Sequence, residues 1–445
     1  MVGTITDVSL PTHFDAQAFD RHLSRLTEPV WMTDLRRRAF AHFEDFSRSP
    51  LVEEEWKRVD LRTFRPERFQ IRTTSTANVP FDTLLADRTQ FAGRVAHIDG
   101  VTQASQLDGS LRKQGVLFGS LQEVLVQNPE LLREYFMQRA VPVDRDRFSA
   151  WHAAFGTGGT VLYIPPRVEI REPLHSFIGL ATDHAADLSH TLVILGEGAS
   201  ATLLEETASA NADDAGLHIG AVELIVGDGA RLQYVQLQNW GNKVCHFAHQ
   251  AGRISANASL QWTVGGLGSR IAHTHQEVTL DGPGAEAQVN GVTFASDRQV
   301  ISYYTQQTHA APNTRSDLLY KQVLRDRARG IWRGMIRVDV DAQKTDGYQR
   351  NDTLLLSGDC RADAIPGLEI EADDVRCTHG ATAGRVDEEQ IFYCMARGIS
   401  EREAKHIIVE GFFQSVLDRI PVEAVRETLR LAVEKKLGIE RLLEV

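Results

Sequence analysis

The chain has 445 residues, 42% apolar and 24% charged, and its 48 Lys and Arg against 60 Asp and Glu give a formal charge of −12. That length allows two or three domains with a large core, and so ordinary a composition excludes wholesale disorder. The acidic balance, with a pI near 5.8, argues against a nucleic-acid binder, and no run approaches the ~18 apolar residues of a membrane span. The start, MVGTITDVSLPTHFDAQAF, has neither the cationic opening nor the apolar run of a secretory signal. Four cysteines cannot form a disulfide framework, so a cytoplasmic protein without a membrane or nucleic-acid partner is expected.

Residues 1–157 read as a helical or mixed domain. Trp31, Leu35, Ala39, Phe43 and Phe46 recur at helical spacing and share one face, while Arg36, Arg37 and Arg38 between them are expected to face water. Leu121–Phe136 predicts a second helical stretch. From 158 to 382 the charge runs disappear, and β-prone segments such as Thr191–Leu195, Val222–Val226 and Leu232–Leu237 are divided by Gly-containing turns. Taking Gly198, Gly229, Asn257 and Gly284 as equivalent turn points gives spacings of 31, 28 and 27 residues. A period near 30 without amphipathic helices favours stacked coils, a parallel β-helix, over a β-sandwich or jelly roll.

Residues 383–445 read as a helical domain. Asp387 with Gln390 forms a capping-box pattern, Gly398 a stop, and Ser400 with Glu403 a second box. Pro421 fits the first turn of a last helix striped by Val422, Val425, Leu429, Val433 and Leu437. The fold class is mainly β with helical ends.

No phosphate loop, nucleophile elbow, H-E-x-x-H helix or C-x-x-C pair is present, so no ATP site is expected in this chain. Gly265, Gly266 and Gly268 do not make a dinucleotide fingerprint and read as turn residues. His273, His275 and Glu277 share one side of a strand, where they are either a divalent-metal site of cupin type or a wet polar sheet face. Cys377 and His379, two apart, also share one side, and Cys360 lies seventeen residues earlier, where it could come round to the same edge. Thiolate and imidazole suit iron–sulfur chemistry, but a buried apolar cysteine with a core histidine fits the same spacing. A metal here would need part of its shell from another chain. Cys245, near His246 and His249, and Cys394 read as core residues.

The stretches PGLEIEADDVRCTHGATAG (366–384) and DEEQIFYCMARGIS (387–400) resemble the signature of the SufB/SufD family of iron–sulfur cluster assembly proteins. Trp31, Arg38, Phe43 and EEEWKRVDL (53–61) resemble the start of its SufD branch, and HGAT at His379 is SufD-like where SufB usually carries H-E-A-T. The resemblance implies a right-handed parallel β-helix between two helical domains, and a non-enzymatic subunit pairing with a SufB-like paralogue and two copies of the ATPase SufC. It implies that 387–411 dock SufC, through Asp387, Ile391, Phe392, Met395, Arg397 and Gly398. It also implies that His379 lies at the β-helix junction, where a partner cysteine completes a transient site for iron or an iron–sulfur cluster, with Cys377 nearby. ATP-driven motion of SufC through the carboxyl-terminal helices would open that junction. Cys360 departs from the SufD pattern, since it stands where SufB-type sequences carry their functional cysteine; a SufB-like or self-pairing chain, a homodimer, is the alternative. A secreted carbohydrate-active β-helix would need paired carboxylates that do not stand out here. The other enzyme reading is a cupin-like use of His273, His275 and Glu277.

Overall fold

The computed structural model describes residues 13–438 apart from 52, 75–79, 82 and 86–89; most of the stretch read for a secretory signal lies outside the described residues. From residue 158 to 385 the chain alternates between two sheets, and every strand pairing within that span is parallel. Ser200 pairs with Arg231, Arg231 with Ser259 and Ser259 with Glu286, so successive coils measure 31, 28 and 27 residues. These are the spacings of Gly198, Gly229, Asn257 and Gly284, and all four have positive φ (65°, 66°, 54° and 75°). Each sits at the corner where the chain leaves the eleven-stranded sheet for the ten-stranded one, and Asn313 and Lys344 continue the column. A left-handed corner favours Gly, then Asn, because a Cβ crowds the following carbonyl there. The core is a parallel β-solenoid, as expected; a sandwich or jelly roll would require antiparallel strands.

Alternation along each strand divides the side chains. Val222, Leu224 and Val226 point inward to meet Leu232, Tyr234, Trp262 and Trp332. Leu217, Ile219 and Ile225 point outward and are covered by Phe40, Phe43, Trp151 and Phe155 of the amino-terminal helices. On the opposite sheet, Leu204, Leu237, Val292 and Leu319 pack against Phe413, Leu417, Leu429 and Val433 of the carboxyl-terminal helices. Each such side chain fully buried contributes roughly 1.5–3 kcal/mol, so the helices are held by their apolar faces. None of the described helices is long and apolar enough to cross a membrane.

Several local expectations are corrected. The helix Val30–Ser47 buries Leu35, Ala39 and Phe43 as predicted, but Arg36 is buried rather than wet. Its guanidinium takes Glu28 in a bidentate pair (2.7 Å on both arms) and reaches the carbonyls of Ala153 and Ala154. The stretch Leu121–Phe136 is two short helices, Leu121–Gln127 and Pro129–Arg133, because the residue before a proline is pushed out of the helical region (Asn128, ψ 55°). Within the first 157 residues the strands Gly93–Ile98, Val101–Leu107 and Leu117–Ser120 extend both sheets; Val101–Leu107 runs antiparallel to Gly93–Ile98 and Leu117–Ser120 antiparallel to Gly158–Ile164, ending the amino-terminal side of the solenoid. Gly265 and Gly266 close the strand Ser259–Gly266 rather than a turn. A Cβ at Gly265 would stand 2.8 Å from Leu429 of the last helix, so its smallness serves close packing. Asp387 caps Glu389 N–H without the reciprocal bond from Gln390, whereas Ser400 and Glu403 form the complete box. Pro421 lies just before the cap of Glu423–Leu437 rather than in its first turn.

Candidate functional site at the open end of the solenoid

The strands Arg361–Ile370 and Val375–Arg385 are the last members of the two sheets, and each pairs on one side only. Among the described residues neither helices nor antiparallel strands cover them, and most residues of Val375–Arg385 are exposed. This coil carries the sulfur and nitrogen donors singled out in the sequence.

Cys377 and His379 occupy the same side of the last strand, in register with Gly347 and Gln349. Cys377 is half-buried against Ile336, Val338 and Ala372, and burial pushes its thiol up. Its Sγ fills the space that Gly347 leaves free, where a Cβ would stand 3.2 Å away, and His309 Nε2 borders the same space. Burial lowers His309 to about 4, so it stays neutral, with Thr314 and Ser316 hydroxyls 2.8 Å from its two nitrogens. Sequence reading missed His309, because two coils separate it from Cys377 and no short spacing links them. His379 is exposed and has no hydrogen-bond partner among the described residues.

Cys360 belongs to the same terminal coil but does not join the pair. Gln349, the register neighbour of His379, donates to Gly367 O at 2.9 Å. Gly367 lies seven residues along the strand from Cys360, about 23 Å at 3.3 Å per residue. Cys360 is buried in the solenoid core, its thiol donating to Ser357 O at 2.9 Å. One chain therefore brings Cys377 and His379 together and holds Cys360 at the other end of the edge. Among the described residues, no three His, Cys, Asp or Glu side chains are grouped so as to hold a metal.

The last strand runs into Asp387 without a linker, and Val386 N–H still bonds Leu355 O (3.0 Å). The helix Glu388–Met395 follows. Ile391 faces inward and so offers no contact surface of its own, while Phe392, Tyr393 and Met395 are 72%, 58% and 47% exposed. Arg397 lies 3.5 Å over the Tyr393 ring, and Gly398 (φ 85°) turns the chain toward Glu401–Leu417. Between the two helices lies a groove lined by Tyr393, Cys394 and Ile407. Cys394 is thus half-buried in a groove wall, not core.

His273, His275 and Glu277 do share one side of the strand Ile271–Leu280, but that face is not wet. Glu55 and Trp56 close over it: Glu55 Oε1 lies 2.9 Å from His273 Nε2 and 3.0 Å from His275 Nδ1, and Trp56 packs 4.2 Å from the His273 ring. Burial alone would raise Glu55, yet the two imidazoles hold it well below the usual carboxylate range. Burial alone would lower His275, and Glu55 and Glu277 raise it instead. Nearby, His249 Nε2 lies 2.9 Å from Asp146 Oδ1, a second buried contact between the amino-terminal domain and this sheet face. The trio is a buried docking surface for the amino-terminal segment, and the cupin-type reading has no support. Cys245 is core as expected, its thiol pushed up to about 12 by burial.

Residues 177–412 match the family profile described as SUF system FeS cluster assembly, SufBD core domain, and residues 16–175 match the SufBD protein N-terminal region. An iron–sulfur cluster assembly SufBD family protein of Staphylococcus epidermidis is 30% identical over 425 residues, covering 91% of this chain and 89% of the relative. Similar proteins of Staphylococcus saprophyticus (29% over 408 residues, 92% and 85% covered) and Staphylococcus aureus (28% over 433 residues, 92% and 90%) carry the same family description.

Proposed function

The chain belongs to the SufBD family of iron–sulfur cluster assembly proteins, and we propose that it serves there as a SufD-like, non-catalytic half of a two-chain scaffold. The observation that carries this reading is the uncovered terminal coil, which presents a thiol and an unpartnered imidazole side by side on an unpaired strand edge. An exposed edge of ten or eleven residues is a template for strand pairing, and folded proteins otherwise cover or blunt it. A paralogous SufB-like chain completes the donor set across that edge, so iron or a nascent cluster is cargo held between two chains, with His379 and Cys377 as this chain's share.

The ATPase SufC docks on the helix Glu388–Met395, through exposed Phe392 and Met395 with Asp387, Arg397 and Gly398 shaping the turn ends. Ile391 acts from beneath, as the anchor of that helix. Because strand and helix are joined without a linker, a displacement of the helix pulls directly on the strand bearing His379. Co-purification tests the partners: the chain brings down a SufB-like paralogue and a SufC-type ATPase. Phe392→Asp with Met395→Asp releases the ATPase, and retained binding would reject that surface. In the purified complex His379→Ala abolishes cluster formation, whereas an unchanged rate and yield removes the residue from the site.

The second reading, a self-pairing scaffold, rests on Cys360. If two copies meet edge to edge with their terminal strands antiparallel, the start of one edge faces the end of the other, which brings each Cys360 toward its partner's His379. Solution mass of the chain expressed alone separates the readings: a monomer favours the paralogue, a dimer the self-pair.

A further inference from the structure

Far from the terminal coil, the helix Ala16–Leu23, the segment around Gln70 and Ile71, and the strand Val101–Leu107 enclose a cleft of about 750 Å³. Arg21, Arg25 and Arg72 line it, and among the described residues no Asp or Glu does. Arg72 donates to the backbone carbonyl of Asp183 at 3.3 Å and to the side-chain carbonyl of Gln70 at 3.1 and 3.2 Å, and none of the three guanidiniums is paired with a carboxylate among the described residues. In a chain of charge −12, such a gathering of unpaired cations is a local field pointing against the global one.

A second observation is independent of the charge. Among the described residues, three buried polar atoms in this wall lack a hydrogen-bond partner: Arg72 Nε, His22 Nε2 and Gln122 Oε1. Gln122 is held in place by its other atom, Nε2, which donates to Thr157 O at 2.7 Å. A buried donor or acceptor left unpaired costs about 1–3 kcal/mol, so three in one cleft mark a place built for something polar. His22 is lowered to about 3, first by burial and then by the charge of Arg36, so its ring stays neutral; its bond to the Gly156 backbone uses the one N–H and leaves Nε2 as an acceptor. The volume falls within the range of small-molecule sites, roughly 300–1,000 Å³, and Phe155 supplies an apolar wall.

We infer that this cleft binds an organic phosphate, with Arg21, Arg25 and Arg72 on its phosphoryl oxygens and His22 and Gln122 on its polar body. Guanidiniums present fixed forks of N–H donors matched to phosphate oxygens. Gln122 Oε1 is an acceptor and so calls for an N–H or O–H on the organic part of the ligand, which a nucleotide or sugar phosphate carries and a phosphate ester of a simple alcohol lacks.

Calorimetry on the full purified chain tests this with two probes, adenosine 5′-diphosphate and inorganic pyrophosphate. Both bind saturably at one site per chain, the nucleotide more tightly. Arg21 and Arg25 are exposed, so Arg21→Ala and Arg25→Ala leave the fold intact and weaken both probes at least tenfold, as does Arg72→Gln. Gln122→Leu weakens the nucleotide severalfold and leaves pyrophosphate unchanged. Arg171→Ala, an 80% exposed control elsewhere, changes neither. The inference is overturned if neither probe saturates below millimolar concentration, or if Arg171→Ala weakens binding as much as the cleft variants do.

Discussion

Two surfaces of this molecule carry nearly the same short pattern and have opposite fates. His273 and His275 flank Thr274, and Cys377 and His379 flank Thr378; both pairs stand on one side of a parallel strand. The first pair lies mid-solenoid on the outer face of the eleven-stranded sheet, where the amino-terminal segment closes over it and Glu55 takes one nitrogen of each ring. The second lies on the last coil, where no further strand pairs with the edge and His379 stays exposed. Spacing puts two donors side by side, but position in the stack decides whether they become mortar or remain open to a second molecule.

Breaking the closed surface gives the largest effects. Glu28→Ala strands the buried Arg36 guanidinium and lowers unfolding stability by about 3–5 kcal/mol in urea titrations. Glu55→Ala costs about 2–3 kcal/mol, since the two histidines lose their shared acceptor. Its pH dependence is diagnostic. Glu55 is lowered on folding, so its contribution is present above its unfolded value of 4.5 and is lost as pH falls through the lower folded value. His275 is raised, so its contribution is full below 6.5 and is lost as pH rises through the higher folded value. The stability gap between wild type and Glu55→Ala is therefore widest between about pH 4.5 and 6.5; a gap constant from pH 4 to 8 would refute the pairing.

The open end responds more weakly in stability and more strongly in assembly. Gly398→Ala forces a side chain into the left-handed region at the turn between the two exposed helices and costs about 1 kcal/mol. Ala381→Lys and His379→Ala change monomer stability by no more than about 0.5 kcal/mol, as exposed positions do. A lysine on the edge nevertheless prevents strand pairing with a partner, read as loss of the complex on size exclusion. Thermal unfolding of His379→Ala several degrees below wild type would show that the last coil is structural and collapse the contrast.

The coil period was legible because each corner demands a left-handed residue, which leaves Gly or Asn at Gly198, Gly229, Asn257 and Gly284. Helix ends were legible where a short polar side chain meets its own backbone, as at Ser400 and Glu403. The burial of Arg36 was not, since it depends on Glu28 and on carbonyls 117 and 118 residues away. Nor was the cover over His273, supplied by Glu55 at a separation of 218 residues.

The sequence alone determined the stacked-coil architecture, the helical ends and the family, because periodicity, turn chemistry and a dense local motif are properties of neighbouring residues. Tertiary structure decided which donors are sealed and which are offered, that Cys360 stands apart from Cys377, and that Arg72 joins Arg21 and Arg25 in one cleft. Those are matters of what the folded chain brings over each strand, and burial has no signature within a few residues of the side chain it removes from water.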